Sequence, residues 1–237
     1  MNKGKVYCFT DLHGNSNLFK QIKNFIQAED KVFVLGDVID RGTEGWKILK
    51  EILKDDRFIL LKGNHEQMLV NSGREFLKNE RCLYGDDIYL HMNNGGLSTL
   101  LDWSKEKYAV EYLDLINKLP VYKQYINKNG IKIHLSHAGF SPNNISGNES
   151  DFLWNRLHYK FRCLINQNEL IVHGHTPIPL MIEDIGEFRN PPKYEGGACW
   201  YNNNQKVNLD LGTHWSKQII LFDLNTFDEH IFSIQGE

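Results

Sequence analysis

Two carboxylates and a guanidinium fall within one short stretch, Gly36-Asp37-Val38-Ile39-Asp40-Arg41-Gly42. The stretch follows Lys31-Val32-Phe33-Val34-Leu35, an apolar, β-branched run that reads as a buried strand. The same design occurs on either side. Val6-Tyr7-Cys8-Phe9 runs into Asp11-Leu12-His13-Gly14, and Phe58-Ile59-Leu60-Leu61 runs into Gly63-Asn64-His65-Glu66. Each motif alone has an ordinary structural reading, because Asp and Asn cap helices and Gly makes turns. Three successive strand ends that deliver Asp, His, Asp, Asn and His to one edge ask for more, since open α/β sheets place their chemistry at such edges. Carboxylate, imidazole and amide oxygen together suit borderline divalent ions such as Mn²⁺, Fe²⁺ and Zn²⁺. Calcium would take more oxygens, and structural zinc would take thiolates.

Two later motifs join these three: Ser136-His137-Ala138-Gly139 and Gly174-His175-Thr176-Pro177. In this order and spacing the set resembles the metallophosphoesterase, or calcineurin-like, superfamily. Within it the chain is most similar to the serine/threonine protein phosphatases of the small bacterial and bacteriophage form, from Asp11 to about Gly212. The resemblance implies an α/β fold of two mixed β-sheets packed as a sandwich and flanked by helices. It implies a pair of divalent ions, Mn²⁺ first, with Fe²⁺ or Zn²⁺ as alternatives. Asp11 and His13 would hold one ion, Asn64, His137 and His175 the other, and Asp37 both. A hydroxide bridging the ions would attack phosphorus directly. Arg41, and Arg156 in Leu153-Trp154-Asn155-Arg156, would grip the phosphoryl oxygens with their planar forks. His65 would protonate the leaving alkoxide, oriented by Asp40. Asp210-Leu211-Gly212 resembles a late element near the site.

The substrate this implies is a phosphorylated protein or small phosphoester: phosphoserine or phosphothreonine, with phosphotyrosine as an extension. A diadenosine-tetraphosphate hydrolase of the same superfamily is the alternative, although those relatives commonly depart from the acid at the position of Asp40. A non-catalytic phosphoprotein-binding module is the third reading. It is disfavoured because every ligand and the general acid are present. The other histidines are expected to be structural: His91, His158, His214 and His230 lack ligand context, and His134 fits a core position. His173 lies two residues before His175 on the same side of an extended segment, and is read as a neighbour of the ligands.

The elements that must position these groups begin as βαβαβ, with helices after the first two motifs, and parallel strands with right-handed crossovers follow from that order. Residues 68–77 and 97–119 read as helical, broken at Asn94-Gly95-Gly96. They make a helical insertion, about residues 66–120, that walls a cleft. Asn127-Lys128-Asn129-Gly130 signals a hairpin. Residues 170–172 are expected to form a strand and 186–204 a surface loop. Residues 206–211, 219–223 and 229–233 are expected to be closing antiparallel strands. One domain over residues 1–237 is the expectation.

Composition narrows the class. Of 237 residues, 41% are hydrophobic, enough for a sizeable core, and the net charge of −3 marks no nucleic-acid or membrane surface. Cys8, Cys82, Cys163 and Cys199 are scattered with no Cys-x-x-Cys, which argues against a zinc ribbon or redox pair. Reduced thiols, a first strand that begins almost at once and the lack of a membrane-spanning run lead to the expectation of a cytoplasmic protein.

Overall fold

A computed structural model describes residues 4–140, 147–160, 165–185 and 194–234. The first half builds the sheet expected from the βαβαβ reading. Strands β1 (Val6–Phe9), β2 (Lys31–Val34) and β3 (Phe58–Leu60) run parallel, joined by helices α1 (Ser16–Phe25) and α2 (Gly45–Ile52). Alternation along these strands decides which face each residue serves. Tyr7, Phe9, Val32 and Val34 pack against the helices, whereas Cys8, Phe33 and Leu35 face the second sheet.

Helices α3 (Asn64–Lys78), α4 (Asp86–Asn93), α5 (Leu97–Ser104) and α6 (Ala109–Asn117) follow β3. The expected helix over 97–119 is therefore two helices, separated at residues 105–108. Helix α4 was not foreseen. It begins after Gly85 with Asp86 and Asp87 in its first turn, where carboxylates favour the helix dipole.

The second sheet contains β4 (Tyr122–Ile126), β5 (Lys132–Ser136), β6 (Glu169–His173), β7 (Cys199–Tyr201) and β8 (Lys206–Asn208). The β4–β5 hairpin has the expected antiparallel register, with Tyr122 opposite Ser136 and Ile126 opposite Lys132. The order is β4-β5-β6-β8-β7. Two expectations need correction here. Strand β8 ends at Asn208, short of the expected 211, and adds a parallel pairing with β6 to its antiparallel one with β7. Part of the expected 186–204 loop is strand β7, antiparallel to β8 through a tight turn at Asn202, Asn203 and Asn204, all at positive φ. A three-residue strand between glycines and asparagines carries too little periodicity to be read. Residues 186–193 of that expected loop lie outside the described residues.

Helices α7 (Glu149–Trp154), α8 (Ile178–Ile185) and α9 (Thr213–Ser216) border the second sheet and the site. Strands β9 (Gln218–Asp223) and β10 (Glu229–Ser233) return to the first sheet, giving the order β10-β9-β1-β2-β3. The two sheets pack face to face through Leu135, Val172, Val207, Ile220 and Phe222, together with Cys8, Phe33 and Leu35. Among the described residues no helix is long and apolar enough to cross a membrane.

Candidate active site

The strands end in backbone that most side chains avoid. Asp11, His13, Asp37, Asp40, Arg41 and His175 all have positive φ, between 47° and 69°. Such conformations cost free energy and persist where surrounding structure imposes them, commonly at functional sites. Glu66 supplies part of that imposition. Its buried carboxylate accepts from the backbone N–H of Gly63 (2.8 Å), Asp37 (2.8 Å) and Val38 (2.9 Å), tying the third motif to the second. Burial and the neighbouring Asp37 push Glu66 up to about 7 despite these three donors. Gly63 has a steric reason: a Cβ there would lie 2.2 Å from Asp37 Oδ1.

Lone pairs are aimed by bonds on the far side of each ring. His13 Nδ1 donates to Ile39 O (3.1 Å) and His137 Nδ1 to Leu35 O (2.9 Å), so each ring turns Nε2 toward the carboxylates. His13 Nε2 lies 3.8 Å from Asp11 Oδ1 and 3.9 Å from Asp37 Oδ2. His137 Nε2 lies 2.8 Å from Asn64 Oδ1, 3.1 Å from His175 Nδ1 and 3.3 Å from Asp37 Oδ2. Asp11 Oδ2 accepts from Thr10 Oγ1 (2.6 Å) and from the His175 backbone N–H (3.0 Å). Among the described residues, two buried groups have ligand atoms within 4.8 Å of one another: His13, Asp37 and His65, and Asp37, His137 and His175. Asp37 belongs to both, the place of a bridging carboxylate. The first group contains His65 where the motif reading put Asp11, whose Oδ1 lies 3.8 Å from His13 Nε2.

The electrostatics show a site crowded with like groups. Burial raises Asp11, with Asp37 adding to the rise, and burial with Asp11 holds Asp210 well above the usual carboxylate range. Burial lowers His13 to about 3 and puts His175 well below its ordinary value. His137 moves the other way, up to about 10, because Asp37, Asp11 and Glu66 outweigh burial. A proton on His137 thus balances the carboxylates, a role that suits a divalent cation better. With carboxylate, amide and imidazole atoms converging on common points, the residues fit a pair of such ions.

Beside this cluster, His65 Nδ1 donates to Asp40 Oδ2 at 2.6 Å. His91 Nε2 lies 2.9 Å from the same oxygen, and Asp40 Oδ1 is buried without a partner among the described residues. Burial opposes ionisation of Asp40, but His91 and His65 hold it below the usual carboxylate range. Burial likewise opposes the charge on His65, and Asp37 and Asp40 outweigh it, raising its pKa. The Arg41 guanidinium faces His13 Nε2 at 3.0 Å and His65 Nε2 at 3.1 Å. Its backbone N–H donates to Gly95 O (3.0 Å), so the α4–α5 turn clamps the central motif. Arg156 is exposed and lines, with Arg41, His175, Leu180, His214 and Trp215, a cleft of about 490 Å³.

A family model described as calcineurin-like phosphoesterase matches residues 4–179, most of the chain. The chain belongs to the calcineurin-like phosphoesterase family. It is similar to two curated proteins named "bis(5'-nucleosyl)-tetraphosphatase, symmetrical". The one from Delftia acidovorans is 23% identical over 141 residues, covering 58% of this chain and 45% of that protein. The one from Wigglesworthia glossinidia brevipalpis is 30% identical over 141 residues, covering 57% and 45%. The matches thus span under half the length of these relatives. A solved serine/threonine phosphatase from Saccharomyces cerevisiae, with similarity to human phosphatase PP5, shares the fold at TM-score 0.59 and 12% identity, covering 99% of this chain and 81% of that one.

The remaining histidines of the chain divide. His134 is a core residue, its Nδ1 bonded to Tyr122 Oη at 2.7 Å. His173 turns away from the ligands, its Nε2 2.6 Å from Tyr201 Oη and its ring edge-on to buried His158. His214, expected to be structural, stands on the cleft rim beside Trp215. His91, also expected to be structural, reaches Asp40. Nothing in the sequence near His91 signals this, because its partner lies 51 positions away. Glu66 did leave a signal: it stands three residues after Gly63 at a helix start, where an acid reaches back to the backbone N–H.

Proposed function

We propose that the protein is a metal-dependent phosphomonoesterase acting on phosphoserine and phosphothreonine, with phosphotyrosine as a further substrate. The observation that carries this is the 2.6 Å bond between His65 and Asp40 beside the ligand cluster. Asp11, His13 and Asp37 would hold one ion, and Asp37, Asn64, His137 and His175 the other, with Mn²⁺ the first choice. Two ions in such a site supply Lewis-acid stabilisation and a water acidified enough to act as nucleophile near neutral pH. Arg41 and Arg156 bind the phosphoryl oxygens from the cleft side. As the P–O bond breaks, His65 as the imidazolium gives its Nε2 proton to the leaving oxygen, and Asp40, paired with Nδ1–H, orients the ring and favours its protonated form. An alkoxide needs that proton because it is a poor leaving group. Free Cys8, Cys82 and Cys199 support a cytoplasmic setting.

The names of the curated relatives favour a second reading, hydrolysis of bis(5'-nucleosyl) tetraphosphates. A nucleoside polyphosphate leaves as a stable anion and has little use for a dedicated acid, so the His65–Asp40 pair favours the phosphomonoester. The test is one panel: a phosphoserine peptide, p-nitrophenyl phosphate and diadenosine tetraphosphate, each with Mn²⁺, Zn²⁺ or Fe²⁺. Highest kcat/KM on the peptide is expected. Highest kcat/KM on diadenosine tetraphosphate would reverse the order of the two readings.

A further inference from the structure

We propose that His91 is a positioning residue for the His65–Asp40 pair, the third member of a buried line Ser72–His91–Asp40–His65. The proposal rests on the reading of His65 as general acid. His91 lies on α4, far in sequence from every motif, yet it is fully buried. Its Nε2 is 2.9 Å from Asp40 Oδ2, the oxygen that also takes His65 Nδ1 at 2.6 Å. Its Nδ1 is 2.7 Å from Ser72 Oγ on α3. A carboxylate oxygen only accepts, so Nε2 carries the proton aimed at Asp40, and Nδ1 is left to pair with the Ser72 hydroxyl, which also reaches Leu69 O at 3.3 Å.

The second donor restrains the carboxylate. Among the described residues Asp40 Oδ1 has no hydrogen-bond partner, so the side chain is anchored through Oδ2. With His65 as the single donor, carboxylate and ring could rock together. Two donors on one oxygen from different directions fix the carboxylate's rotation and hence the aim of His65 Nε2. Nearby backbone is arranged for this. A Cβ on Gly96 would fall 2.2 Å from His91 Nε2 and 2.0 Å from its Cδ2, so the ring occupies the space that a side chain there would fill. Thr99 Oγ1 accepts from the Asp40 backbone N–H at 3.2 Å. The helical insertion therefore reaches the proposed acid through a side chain as well as bordering the cleft.

The experiment compares kcat of the metal-loaded full chain on a phosphoserine peptide and on p-nitrophenyl phosphate, whose phenolate leaves without a proton. General acid catalysis is worth roughly 10²–10⁴-fold, so His91→Phe, which misaims the acid without removing it, should cost about 10–100-fold on the peptide and under about 3-fold on p-nitrophenyl phosphate. KM and metal content should stay at wild-type values. His91→Gln, which keeps an N–H at the reach of Nε2, should recover most of the loss. Should His91→Phe fail to fold, Ser72→Ala tests the same line from its outer end, with about a 2–10-fold loss confined to the peptide. Equal losses on both substrates, or none, in whichever of these variants folds would overturn the role of His91. His65→Asn is the companion measurement. If it discriminates between the substrates while the His91 and Ser72 variants do not, the inference fails and the acid assignment stands. If His65→Asn itself does not discriminate, the acid assignment fails and the inference with it.

Discussion

Gly174→Ala is a small change aimed at the ligand cluster. Gly174 links β6 to His175, and its missing side chain leaves room for Asp11. A Cβ there would stand 2.3 Å from Asp11 Oδ2, 2.4 Å from Thr10 Oγ1 and 2.5 Å from Thr10 Cγ2, where ordinary contact begins at 3.4 Å. None of these atoms is the loose end of a long chain, and Asp11 Oδ2 is held by Thr10 Oγ1 and the His175 backbone. Relief requires Asp11, or the end of β6 that carries His175, to move by about 1 Å, and a misplacement of that size costs about 10²-fold in rate. Metal sites tolerate ligand shifts of only about 0.2 Å, so Mn²⁺ affinity should fall about 10–100-fold as well. Overpacking should cost about 1–3 kcal/mol, leaving a folded protein with Tm lowered by roughly 2–12 °C. The assay is Mn²⁺-dependent hydrolysis of p-nitrophenyl phosphate with a thermal melt of each variant. Gly130→Ala is the control. Gly130 has φ +77° with nothing within 4 Å, so alanine there should cost about 1–2 kcal/mol of backbone strain and no activity. Wild-type Mn²⁺ affinity and kcat in Gly174→Ala would refute the reasoning.

Three further outcomes are expected. His65→Asn should lower kcat on an alkyl phosphate by about 10²–10⁴-fold and far less on p-nitrophenyl phosphate, whereas equal losses would assign His65 to metal positioning. Arg156→Ala should weaken kcat/KM and inhibition by inorganic phosphate with metal content intact, and Arg156→Lys should recover only part, because a point charge lacks the fork; wild-type values in both would remove Arg156 from the site. Glu169 gives a pH effect away from the cleft: burial raises it, but bonds to Lys132 and Asn166 prevail and hold it at about 2. Its stabilisation, about 1–3 kcal/mol, is therefore complete above the unfolded value near pH 4.5 and lost as pH falls toward 2, so Glu169→Gln should lower the urea midpoint at pH 7 and less so below pH 4. Parallel pH profiles for wild type and variant would contradict this.

Much of the candidate site was legible as a spatial cluster because its residues sit at strand ends with short-range signatures. Asp11, His13, Asp37, Asn64, His137 and His175 each lie in a Gly-containing motif after an apolar run, and the fold brings them together. Arg156, read from a shorter motif, does line the same cleft. The contact of His91 with Asp40 was illegible because 51 positions, with α2, β3 and α3, lie between the two residues. That His214 and Trp215 line the cleft was not legible, because α9 is a single short turn entered through Gly212 at φ +69°. The fold divides in the same way. The parallel strands β1 to β3 declare themselves by composition, and the β4–β5 hairpin by its Asn-Gly turn. The break between α5 and α6 and the parallel pairing of β8 with β6 depend on tertiary packing that no local pattern encodes.

Phosphoester hydrolysis is proposed to depend on metal held by Asp11, His13, Asp37, Asn64, His137 and His175. This dependence is tested most directly by stripping the protein with chelator and adding Mn²⁺ back while following phosphate release from the phosphoserine peptide. The stripped protein should remain folded on its large apolar core, show no hydrolysis, and regain activity that saturates at two Mn²⁺ per chain. Full phosphate release in excess chelator would contradict it.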